Sequence, residues 1–365
     1  MSKNVAVIGP QAPPFGGMAN QGVLLTDGLV EKGLNPVRIR TNYSYPELEK
    51  KISGIPGVRT VVRIAVYLFN LVWLGSKCEI FHIMACSHLY YVVNVIPALI
   101  AGHLMGKRVV LNYRGGEAKI FFNGKGKRLV RSLHLADSLI VPSQYLKDLF
   151  KGFGLESVVV PNIIPLERFR FRLPGENQAQ GRVTYICTRQ FEPYYDVATL
   201  VKAFALVKNE LSDARLILVG EGRLYSDLKR LAAELNIESG IHFAGKVNAE
   251  DIPDHLNRAD IFVNSSVVDN YPNSILEAFA AGLPVITTDA GGIVYLVKHG
   301  KNGLLVKTSD YKSMAKEMVS LAKSSALKRQ LARGGEKTAE KHSWDKIWMQ
   351  LKEEYQPSES KGKGE

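Results

Sequence analysis

The sequence predicts an α/β protein with two doubly wound parallel sheets. Strand-like apolar runs alternate with helix-length segments, and the alternation stops at residues 162–182 and then starts again. Strands that are separated by helices form βαβ units and a parallel sheet. The interrupting stretch contains prolines and glycines and has no sustained period, which is typical of a linker. We therefore expect a first domain over 1–165, a linker over 166–182 and a second domain over 183–340.

In the first half, short apolar runs predict the strands, and a glycine- and proline-rich loop follows the first of them. Gly33 is expected to end the first helix, because glycine adopts the left-handed conformation found after helices. The predicted elements are strand 5–9, helix 18–32, strand 36–40, strand 78–83, helix 87–105, strand 107–112, a helix near 125–136, strand 137–141, helix 143–151 and strand 157–161.

The second half repeats this pattern. Ligands of such sheets bind at the carboxyl ends of the strands, so two facing domains would form a cleft. The predicted elements are strand 183–188, helix 197–209, strand 214–220, helix 222–235, strand 241–245, helix 249–258, strand 260–265, helix 274–281, strand 284–288, helix 292–298, strand 303–306 and helix 309–323.

The C-terminal segment 341–356 is predicted as an amphipathic helix. Trp344, Ile347, Trp348 and Leu351 fall on one stripe of it and must pack against another element. Residues 357–365 are polar and charged, and this composition predicts disorder.

Composition narrows the class of protein. The chain has 365 residues, 46% of them hydrophobic and 22% charged, which is ordinary for a globular protein with real cores. Its net charge of +12 favours anionic partners. No zinc-finger spacing, aromatic RNA-binding strand or basic helix array accompanies the charge, so nucleic acid is not an expected partner. Three cysteines without CxxC spacing indicate buried thiols, no structural metal and a reducing, cytoplasmic compartment.

Two apolar stretches are candidates for membrane contact. Residues 89–105 contain polar residues and a proline and precede a strand directly, so a core helix is expected. Residues 58–75 carry Arg59 and Arg63 at one end. For this stretch two interpretations stay open: a core helix, or an amphipathic helix that lies peripherally on an anionic membrane.

Glycine pairs mark two possible ligand loops. Gly16 and Gly17 lie between the first strand and the first helix, where backbone N–H groups can approach a phosphate. Gly115 and Gly116 follow the strand 107–112, beside Arg114. The first loop could instead be a flexible turn, and the second an exposed loop without a ligand.

The segment most suited to chemistry is 267–292, VVDNYPNSILEAFAAGLPVITTDAGG. Asp269 lies in the loop after a strand, and Glu277 lies near the start of the helix that follows. Free N–H groups at a helix start attract a diphosphate, and a carboxylate there can accept two ribose hydroxyls. The sequence Ser274 to Glu277 also has the S-x-x-E pattern of a capping box, which needs no ligand.

The stretch DNYPNSILEAFAAGLPVITTDAGG resembles the signature of glycosyltransferase family 4, retaining enzymes of the GT-B fold and of the bacterial cell-surface polysaccharide type. Further similar stretches, spread over nearly the whole chain, are PPFGGMANQG, ADSLIVPSQY, VVPNIIPLERF, LILVGEGRLYSDLKRLAAELNI, ADIFVNSS and NGLLV. The ending HSWDKIW resembles the family's last helix, which crosses back to the first domain.

The resemblance implies a metal-independent, hexosyltransferase-type enzyme without a cofactor. It would move a sugar from a nucleotide-diphosphate donor to a hydroxyl acceptor. The basic first domain and the Arg-flanked stretch 58–75 favour a lipid-linked glycan or surface-polysaccharide precursor as this acceptor, at the inner face of the cytoplasmic membrane. Two alternatives stay open: a non-catalytic subunit that binds a sugar nucleotide, and a GT-B nucleotide-sugar 2-epimerase.

The resemblance also assigns residues. Glu277 would bind the ribose, Arg189 would neutralise the departing phosphate, and Asp269 would lie near the transferred sugar. The remaining donor-binding positions, which contribute mainly backbone groups, are Gly16, Gly17, Asn270, Tyr271, Pro272, Asn273, Ile275 and Leu276.

Three positions depart from the family pattern. Asp269 stands where the family has a glutamate, Tyr195 where it has a lysine beside the phosphates, and Arg114 where it has a first-domain histidine. Arg114 is assigned to the catalytic set as a cation that could bind a phosphate or a sugar hydroxyl, since arginine is no base at neutral pH.

Overall fold

The computed structural model describes residues 3–11, 16–43, 58–174 and 182–356. The chain divides into two compact units. The first comprises residues 1–163 and 344–365, and the second comprises residues 164–343. Residues 175–181 of the expected linker and the expected disordered tail 357–365 lie outside the described residues.

The first unit is built on a six-stranded parallel sheet in the order β2-β1-β3-β4-β5-β6. Its strands are short apolar runs, and most of their residues are buried because helices cover both faces of a parallel sheet. The strands are β1 (Asn4–Gly9), β2 (Asn35–Arg40), β3 (Ile80–Ala85), β4 (Arg108–Tyr113), β5 (Ser138–Val141) and β6 (Val158–Val159).

The helices of the first unit follow the predicted alternation with two differences in type and one further helix, Ala118–Asn123, that was not predicted. The described helical segments are Gly17–Glu31, Val58–Gly75, His88–Tyr90, Tyr91–Val95, Ile96–Leu104, Ala118–Asn123, Lys125–Leu135, Gln144–Lys151 and Trp344–Glu354.

The expected helix 87–105 contains a π-helical turn over Tyr91–Val95. Pro97 follows this turn and has no N–H to donate, so the regular i→i−4 pattern is interrupted beside it. The helix expected near 125–136 is a 3₁₀ helix over Lys125–Leu135. The residues of this segment and its end that pack against the core are Leu129, Val130, Leu133, Leu135 and Ala136.

The side chains of β1 alternate between two cores, one on each face of the first sheet. Ala6 and Ile8 belong to a core rich in aromatic residues. Val5 and Val7 face the other core, where the final helix places Ile347 and Leu351. The predicted amphipathic helix therefore buries its apolar stripe within the first unit.

The second unit contains a six-stranded parallel sheet in the order β12-β11-β10-β7-β8-β9. Two doubly wound parallel sheets are therefore present, and the predicted fold class is confirmed. The strands are β7 (Thr184–Thr188), β8 (Arg215–Val219), β9 (Ile241–Gly245), β10 (Ile261–Asn264), β11 (Val285–Thr288) and β12 (Leu304–Val306).

One long helix of the second unit lies between residues 323 and 341, where the sequence pattern predicted no element. The described α-helices are Val197–Glu210, Tyr225–Glu234, Ile252–Leu256, Asn273–Ala280, Ile293–Leu296, Tyr311–Lys323 and Ser325–Ala339. Ser324 is the N-cap of the last of these helices, and its Oγ accepts a hydrogen bond from the N–H of Leu327 at 3.3 Å. Its buried residues recur at helical spacing from Leu331 to Ala339.

The described part of the expected linker belongs to the second unit. Leu166 and Phe169 pack against the core cluster that surrounds the helix Asn273–Ala280. The N–H of Arg172 donates to the carbonyl oxygen of Ala281 at 3.4 Å. Gly282, with φ of +80°, follows this helix where a Cβ would overlap the Arg172 backbone.

The structure shows the environment of the cysteines and the length of the apolar helices. Cys78 and Cys187 are buried and all three cysteines are free; burial raises the pKa of the Cys187 thiol to about 12. Within the described ranges, no helix has both the length and the apolarity needed to cross a bilayer.

The contact between the first and final helices of the first unit gives a stability prediction. A methyl group on Gly28 would overlap the indole ring of Trp344, whereas one on Gly22 would find only the Pro10 oxygen, at 3.9 Å. Gly28→Ala is expected to lower the free energy of unfolding by about 1–3 kcal/mol, although alanine favours helix. Gly22→Ala should instead raise it by about 0.5–1 kcal/mol.

Urea unfolding followed by tryptophan fluorescence measures both variants, because all three tryptophans lie in the first unit. Equal effects of the two substitutions would contradict the proposed overlap.

Candidate active site

The predicted site residues of the second unit gather at the carboxyl ends of two neighbouring strands. Arg189 follows β7, and the loop that contains Asp269 follows β10, which pairs directly with β7. The helix Asn273–Ala280 begins after this loop. The location is where ligands of doubly wound sheets bind.

Arg189 is the centre of this group. It forms an ion pair with Asp269 and donates from Nη1 to Ser274 Oγ at 3.2 Å. The guanidinium carbon lies 3.8 Å from the centroid of the Tyr195 ring, a cation–π arrangement. The side chains of Arg189 and Asp269 are only 9% and 13% exposed, so water screens their attraction little.

Burial governs the ionisation of this pair. Burial raises the pKa of the Asp269 carboxyl, and the Arg189 guanidinium opposes that rise. Burial by itself would lower the pKa of Arg189, but the anionic Asp269 and the other neighbours of Arg189 raise it overall. Arg189 is therefore a fixed cation at this edge of the sheet.

Glu277 lies within the helix Asn273–Ala280, with its carboxyl partly buried near Arg189. Burial raises its pKa to about 7, and the cation at Arg189 opposes the shift. Among the residues that the structure describes, none forms a hydrogen bond with this carboxyl. A carboxylate in such a place retains its full capacity to accept hydrogen bonds from a ligand.

The capping-box interpretation of Ser274 and Glu277 is wrong. Pro272 occupies the N-cap position, Ser274 is the second residue of the helix, and no described side chain caps the helix start. Ser274 Oγ instead accepts a hydrogen bond from Arg189. Proline at the N-cap position has no side-chain acceptor to offer the first turn, and N–H groups at a helix start attract anions.

Two consecutive glycines hold the loop after β10. The N–H of Gly292 donates to the Asp269 carbonyl oxygen at 3.0 Å. A Cβ on Gly291 would overlap the carbonyl of Asp269, and one on Gly292 would overlap the carbonyl of Asn270. Both glycines belong to the signature, but the sequence analysis assigned them no part in holding this loop. A Gly-Gly pair soon after a strand is itself a sign of close backbone approach.

The other donor-binding positions of this loop are also located. The N–H of Asn270 donates to Asp269 Oδ1 at 2.9 Å, and Tyr271 Oη lies 2.7 Å from His342 Nε2. Burial raises the pKa of Tyr271 above its ordinary value and lowers that of His342 to about 4. The Tyr271 hydroxyl is thus committed within the second unit, and what it offers a ligand is its backbone.

The remaining predicted residues lie in the first unit. Gly16 is the N-cap of the helix Gly17–Glu31 in extended conformation, and Gly17 is its exposed first residue. Contact of Gly16 and Gly17 with a donor stays a prediction.

Arg114 is part of a polar cluster in the first unit. Its guanidinium donates to Asn112 Oδ1 at 3.2 Å, to Gln21 Oε1 at 3.1 Å and to Asn162 Oδ1. Burial lowers its pKa to about 10, which leaves it charged at neutral pH. Its partners are neutral amides, and its assignment to the catalytic set stays a prediction. Sequence reasoning missed Gln21 and Asn162, because single amides far apart in the chain carry no pattern.

The described residues contain no group of three or more His, Cys, Asp or Glu side chains that could hold a metal ion. The arrangement at Arg189 can stabilise a developing anion, accept hydroxyl hydrogen bonds and present free helix N–H groups.

Comparison with known proteins shows what this unit is similar to. Residues 171–338, which lie within the second unit, match the family model described as "Glycosyl transferases group 1". The chain is 32% identical over 160 residues to N-acetyl-alpha-D-glucosaminyl L-malate synthase of Bacillus anthracis, a match that covers 44% of this chain and 41% of that protein. It is 29% identical over 173 residues to alpha-monoglucosyldiacylglycerol synthase of Streptococcus pneumoniae, covering 44% and 39%.

These matches span about two fifths of each relative. The fold likeness covers the whole chain: the crystal structure of Anabaena Alr3699/HepE in complex with UDP-glucose has a TM-score of 0.73 at 16% identity and covers 96% of this chain and 98% of that one. The architecture is therefore that of GT-B proteins.

The buried ion pair gives a second stability prediction. Arg189→Met leaves the Asp269 carboxylate buried and unpaired, so it should lower the free energy of unfolding by about 3–5 kcal/mol. Asp269→Asn added to Arg189→Met removes the stranded charge, and the double variant should lose less than the sum of the single losses. Urea unfolding followed by far-ultraviolet circular dichroism gives the coupling energy, expected above about 1 kcal/mol.

The exposed pair Arg230 and Asp227 of the same unit is the matched control, since its side chains are 68% and 53% exposed. Its coupling should stay below about 1 kcal/mol. Additive losses at Arg189 and Asp269 would contradict the description of that pair as a buried unit.

Proposed function

We propose that this chain is a retaining, hexosyltransferase-type glycosyltransferase of family 4. It moves a sugar from a nucleotide-diphosphate donor to a hydroxyl of a lipid-linked glycan or surface-polysaccharide precursor. The main support is the Glu277 carboxyl, which is partly buried, lacks a hydrogen-bond partner among the described residues and lies in a helix that begins after a proline, beside a fixed cation.

The donor's nucleotide end fits this arrangement. Glu277 as a carboxylate accepts hydrogen bonds from both ribose hydroxyls. The free N–H groups near Ile275 and Leu276, together with the helix dipole, bind the diphosphate. The ribose binds to the side-chain oxygens of Glu277, whereas the diphosphate binds to backbone N–H groups. One helix can therefore hold both parts of the donor, although a carboxylate and a diphosphate are both anionic.

Arg189 serves the departing group. In transfer, the bond between the anomeric carbon and the diphosphate oxygen breaks while the acceptor hydroxyl attacks the same face of the sugar. The leaving phosphate oxygen takes the hydroxyl proton, so the products are the glycoside with retained configuration and the nucleoside diphosphate. Arg189 stabilises the charge on the leaving oxygens. Its buried Nε, for which the described residues offer no hydrogen-bond partner, is a donor for them.

The departures from the family pattern acquire roles in this scheme. Tyr195 supplies no charge where the family has a lysine, but its ring fixes the guanidinium of Arg189. Asp269, one methylene shorter than glutamate, pairs with Arg189 and limits the rotation of that side chain. Through this pair the sugar end of the site is linked to its phosphate end.

A lipid-linked acceptor is supported by one relative and by charge. Alpha-monoglucosyldiacylglycerol synthase carries a lipid in its name, and the net charge of +12 favours an anionic surface. We place the protein in the cytoplasm, at the inner face of the cytoplasmic membrane. The proposed reaction uses no metal and no cofactor.

The test begins with a thermal-shift screen against UDP-, GDP- and ADP-sugars, because a bound donor stabilises the native state by mass action. With the donor so found, transfer to an extracted lipid acceptor should proceed in EDTA and give a product with retained anomeric configuration by proton NMR. Glu277→Ala and Arg189→Ala should each lower transfer by on the order of 10²-fold or more. The control Glu234→Gln changes an exposed carboxylate of the same unit and should leave transfer unchanged.

Undiminished turnover in both Glu277→Ala and Arg189→Ala would overturn the site. Conversion of the labelled donor without acceptor would show a 2-epimerase. Donor binding without transfer to any acceptor would show a non-catalytic subunit.

The pKa of Glu277 predicts how donor binding depends on pH. The donor binds the carboxylate form better, and this group titrates at about pH 7 in the free protein. The dissociation constant of a nucleotide sugar, measured by calorimetry, should therefore rise as pH falls from 8 to 6. A sugar-linked diphosphate is the right probe because it has no ionisation of its own in this range.

Glu277→Gln should bind the nucleotide sugar more weakly and lose this pH dependence, since its amide does not titrate. A pH dependence that persists unchanged in Glu277→Gln would rule out Glu277 as its source.

A further inference from the structure

The helix Val58–Gly75 is apolar on both of its long faces. One face is buried in the first unit, where Tyr67 and Leu71 are at most 1% exposed. The opposite face is open to solvent although it is apolar as well. Its residues recur at spacings of three and four, the period of one helix face, and they are Val61, Ala65, Leu68, Phe69, Val72 and Trp73.

This exposure is large for such side chains. Phe69 is 65% exposed and Trp73 is 53% exposed, and their rings stack on each other with centroids 6.1 Å apart. Single exposed apolar residues are normal on any protein, but a continuous apolar stripe of this length marks an interaction surface.

Exposed apolar side chains also occur on the helical segments that contact this helix. The hydroxyl of Tyr67 donates to the carbonyl oxygen of Asn94 at 2.6 Å, which ties the helix Val58–Gly75 to the helical segments that follow β3. In these segments Ile100 is 44% exposed and Leu104 is 79% exposed. We call the exposed stripe of Val58–Gly75 together with Ile100 and Leu104 the apolar face.

Cations lie at one end of the apolar face. Lys77 Nζ is 4.2 Å from the centroid of the Trp73 ring. Lys107 Nζ donates to the carbonyl oxygen of Ser76 at 2.9 Å, just past the end of the same helix. Residues 58–78 contain no acidic residue, and residues 58–136 contain eleven Lys and Arg against two Asp and Glu.

We propose that the apolar face docks on an anionic lipid bilayer, with the helix Val58–Gly75 lying in the plane of the membrane surface. The apolar side chains enter the boundary between headgroups and acyl chains, and Lys77 and Lys107 meet the lipid phosphates. Tryptophan beside lysine is the pairing that membrane–water interfaces favour, since each has an apolar body and a polar tip. The biological purpose of this surface rests on the lipid-linked acceptor of the proposed function, but binding to lipid does not.

Charge decides between this occupant and a second copy of the chain. An identical face would bring its own lysines and no acidic residues, so pairing of two copies would add like charges without compensation. An anionic leaflet complements both parts of the surface, the apolar stripe through its acyl chains and the lysines through its headgroups.

Flotation of the full-length protein with vesicles tests the proposal, in the absence of donor and acceptor. Vesicles of phosphatidylglycerol and phosphatidylcholine in equal parts should carry the protein at low salt. Pure phosphatidylcholine should carry less, and raised salt should weaken the binding to anionic vesicles. Trp73 fluorescence should shift to shorter wavelength on binding, and Trp73→Phe should abolish most of that shift.

Variants separate the apolar and the ionic contributions. Phe69→Ser with Trp73→Ser should lower the vesicle partition coefficient by about tenfold or more, since two large apolar side chains no longer enter the bilayer. Lys77→Gln with Lys107→Gln should weaken binding to anionic vesicles and leave binding to pure phosphatidylcholine unchanged. The matched control is Val30→Ser with Met349→Ser, which changes two side chains of the first unit that are 60% and 59% exposed and lie outside the apolar face. It should bind as the unaltered protein does.

Three outcomes would overturn the proposal. The unaltered protein could fail to float with anionic vesicles at low salt, or the Val30 and Met349 control could lose binding as strongly as the Phe69 and Trp73 variant. Alternatively, Phe69→Ser with Trp73→Ser could turn a dimer into a monomer by light scattering while vesicle binding persists, which would assign the face to a second copy. Circular dichroism checks that each variant is folded. Glu277→Gln should keep its vesicle binding, so failure of the proposed enzyme and failure of this surface are distinguishable.

Discussion

A buried guanidinium at the carboxyl end of β7 is the constraint on which the candidate site depends. Arg189 is nearly inaccessible to water, and a charge in such a position is stable only when it is paired and hydrogen-bonded. Asp269, Ser274 and the ring of Tyr195 meet that requirement together. Asp269 lies in the loop after β10, Ser274 at the start of the helix that follows this loop, and Tyr195 in the segment after β7, so the position of one cation fixes all three.

The hydrogen bond from Arg189 also affects the start of the helix that contains Glu277. Ser274 Oγ accepts a hydrogen bond from the guanidinium, and Pro272, which has no side-chain acceptor, takes the N-cap position. The helix also contains a carboxyl, that of Glu277, with which no described residue forms a hydrogen bond. Such a site is costly for the free protein, because burial raises the pKa of Glu277 to about 7. The hydroxyls of a bound nucleotide sugar would donate hydrogen bonds to this carboxylate and so offset the cost of its burial. This is the physical reason for the proposed donor site.

The buried arginine of the first unit is stabilised by neutral groups. The Arg114 guanidinium donates hydrogen bonds to three amide oxygens, and these bonds link β4 to Gln21 of the first helix and to Asn162. Behind it, Asn112 contacts the buried His82, whose Nδ1 lies 2.8 Å from Tyr355 Oη after the final helix. Burial lowers the pKa of His82 to about 3, so the ring is neutral. The buried histidine of this cluster thus lies in β3, and Arg114 directly follows β4.

Much of the fold was readable from the sequence by itself. Apolar runs of strand length, separated by helix-length segments, determined two parallel sheets, and the stripe of Ile347 and Leu351 determined an amphipathic last helix. These features depend on local period, and local period is present in the sequence. The helix Ser325–Ala339 was missed although Ser324 and the buried spacing signalled it. The 3₁₀ and π segments could not be recognised, because they depend on packing and on a missing N–H rather than on composition.

For the site, the sequence determined which residues belong to the signature, and the tertiary structure decided what each of them does. The spacing of Ser274 and Glu277 fits a capping box equally well, and only the approach of Arg189, 85 residues away in the chain, removes Ser274 from that role. The same holds for the apolar stripe from Val61 to Trp73. The helix has apolar residues on both of its long faces, and only packing on one side shows which face is left exposed. Local pattern fixes which elements form, but the distribution of charge and exposed apolar surface depends on contacts between residues far apart in the chain.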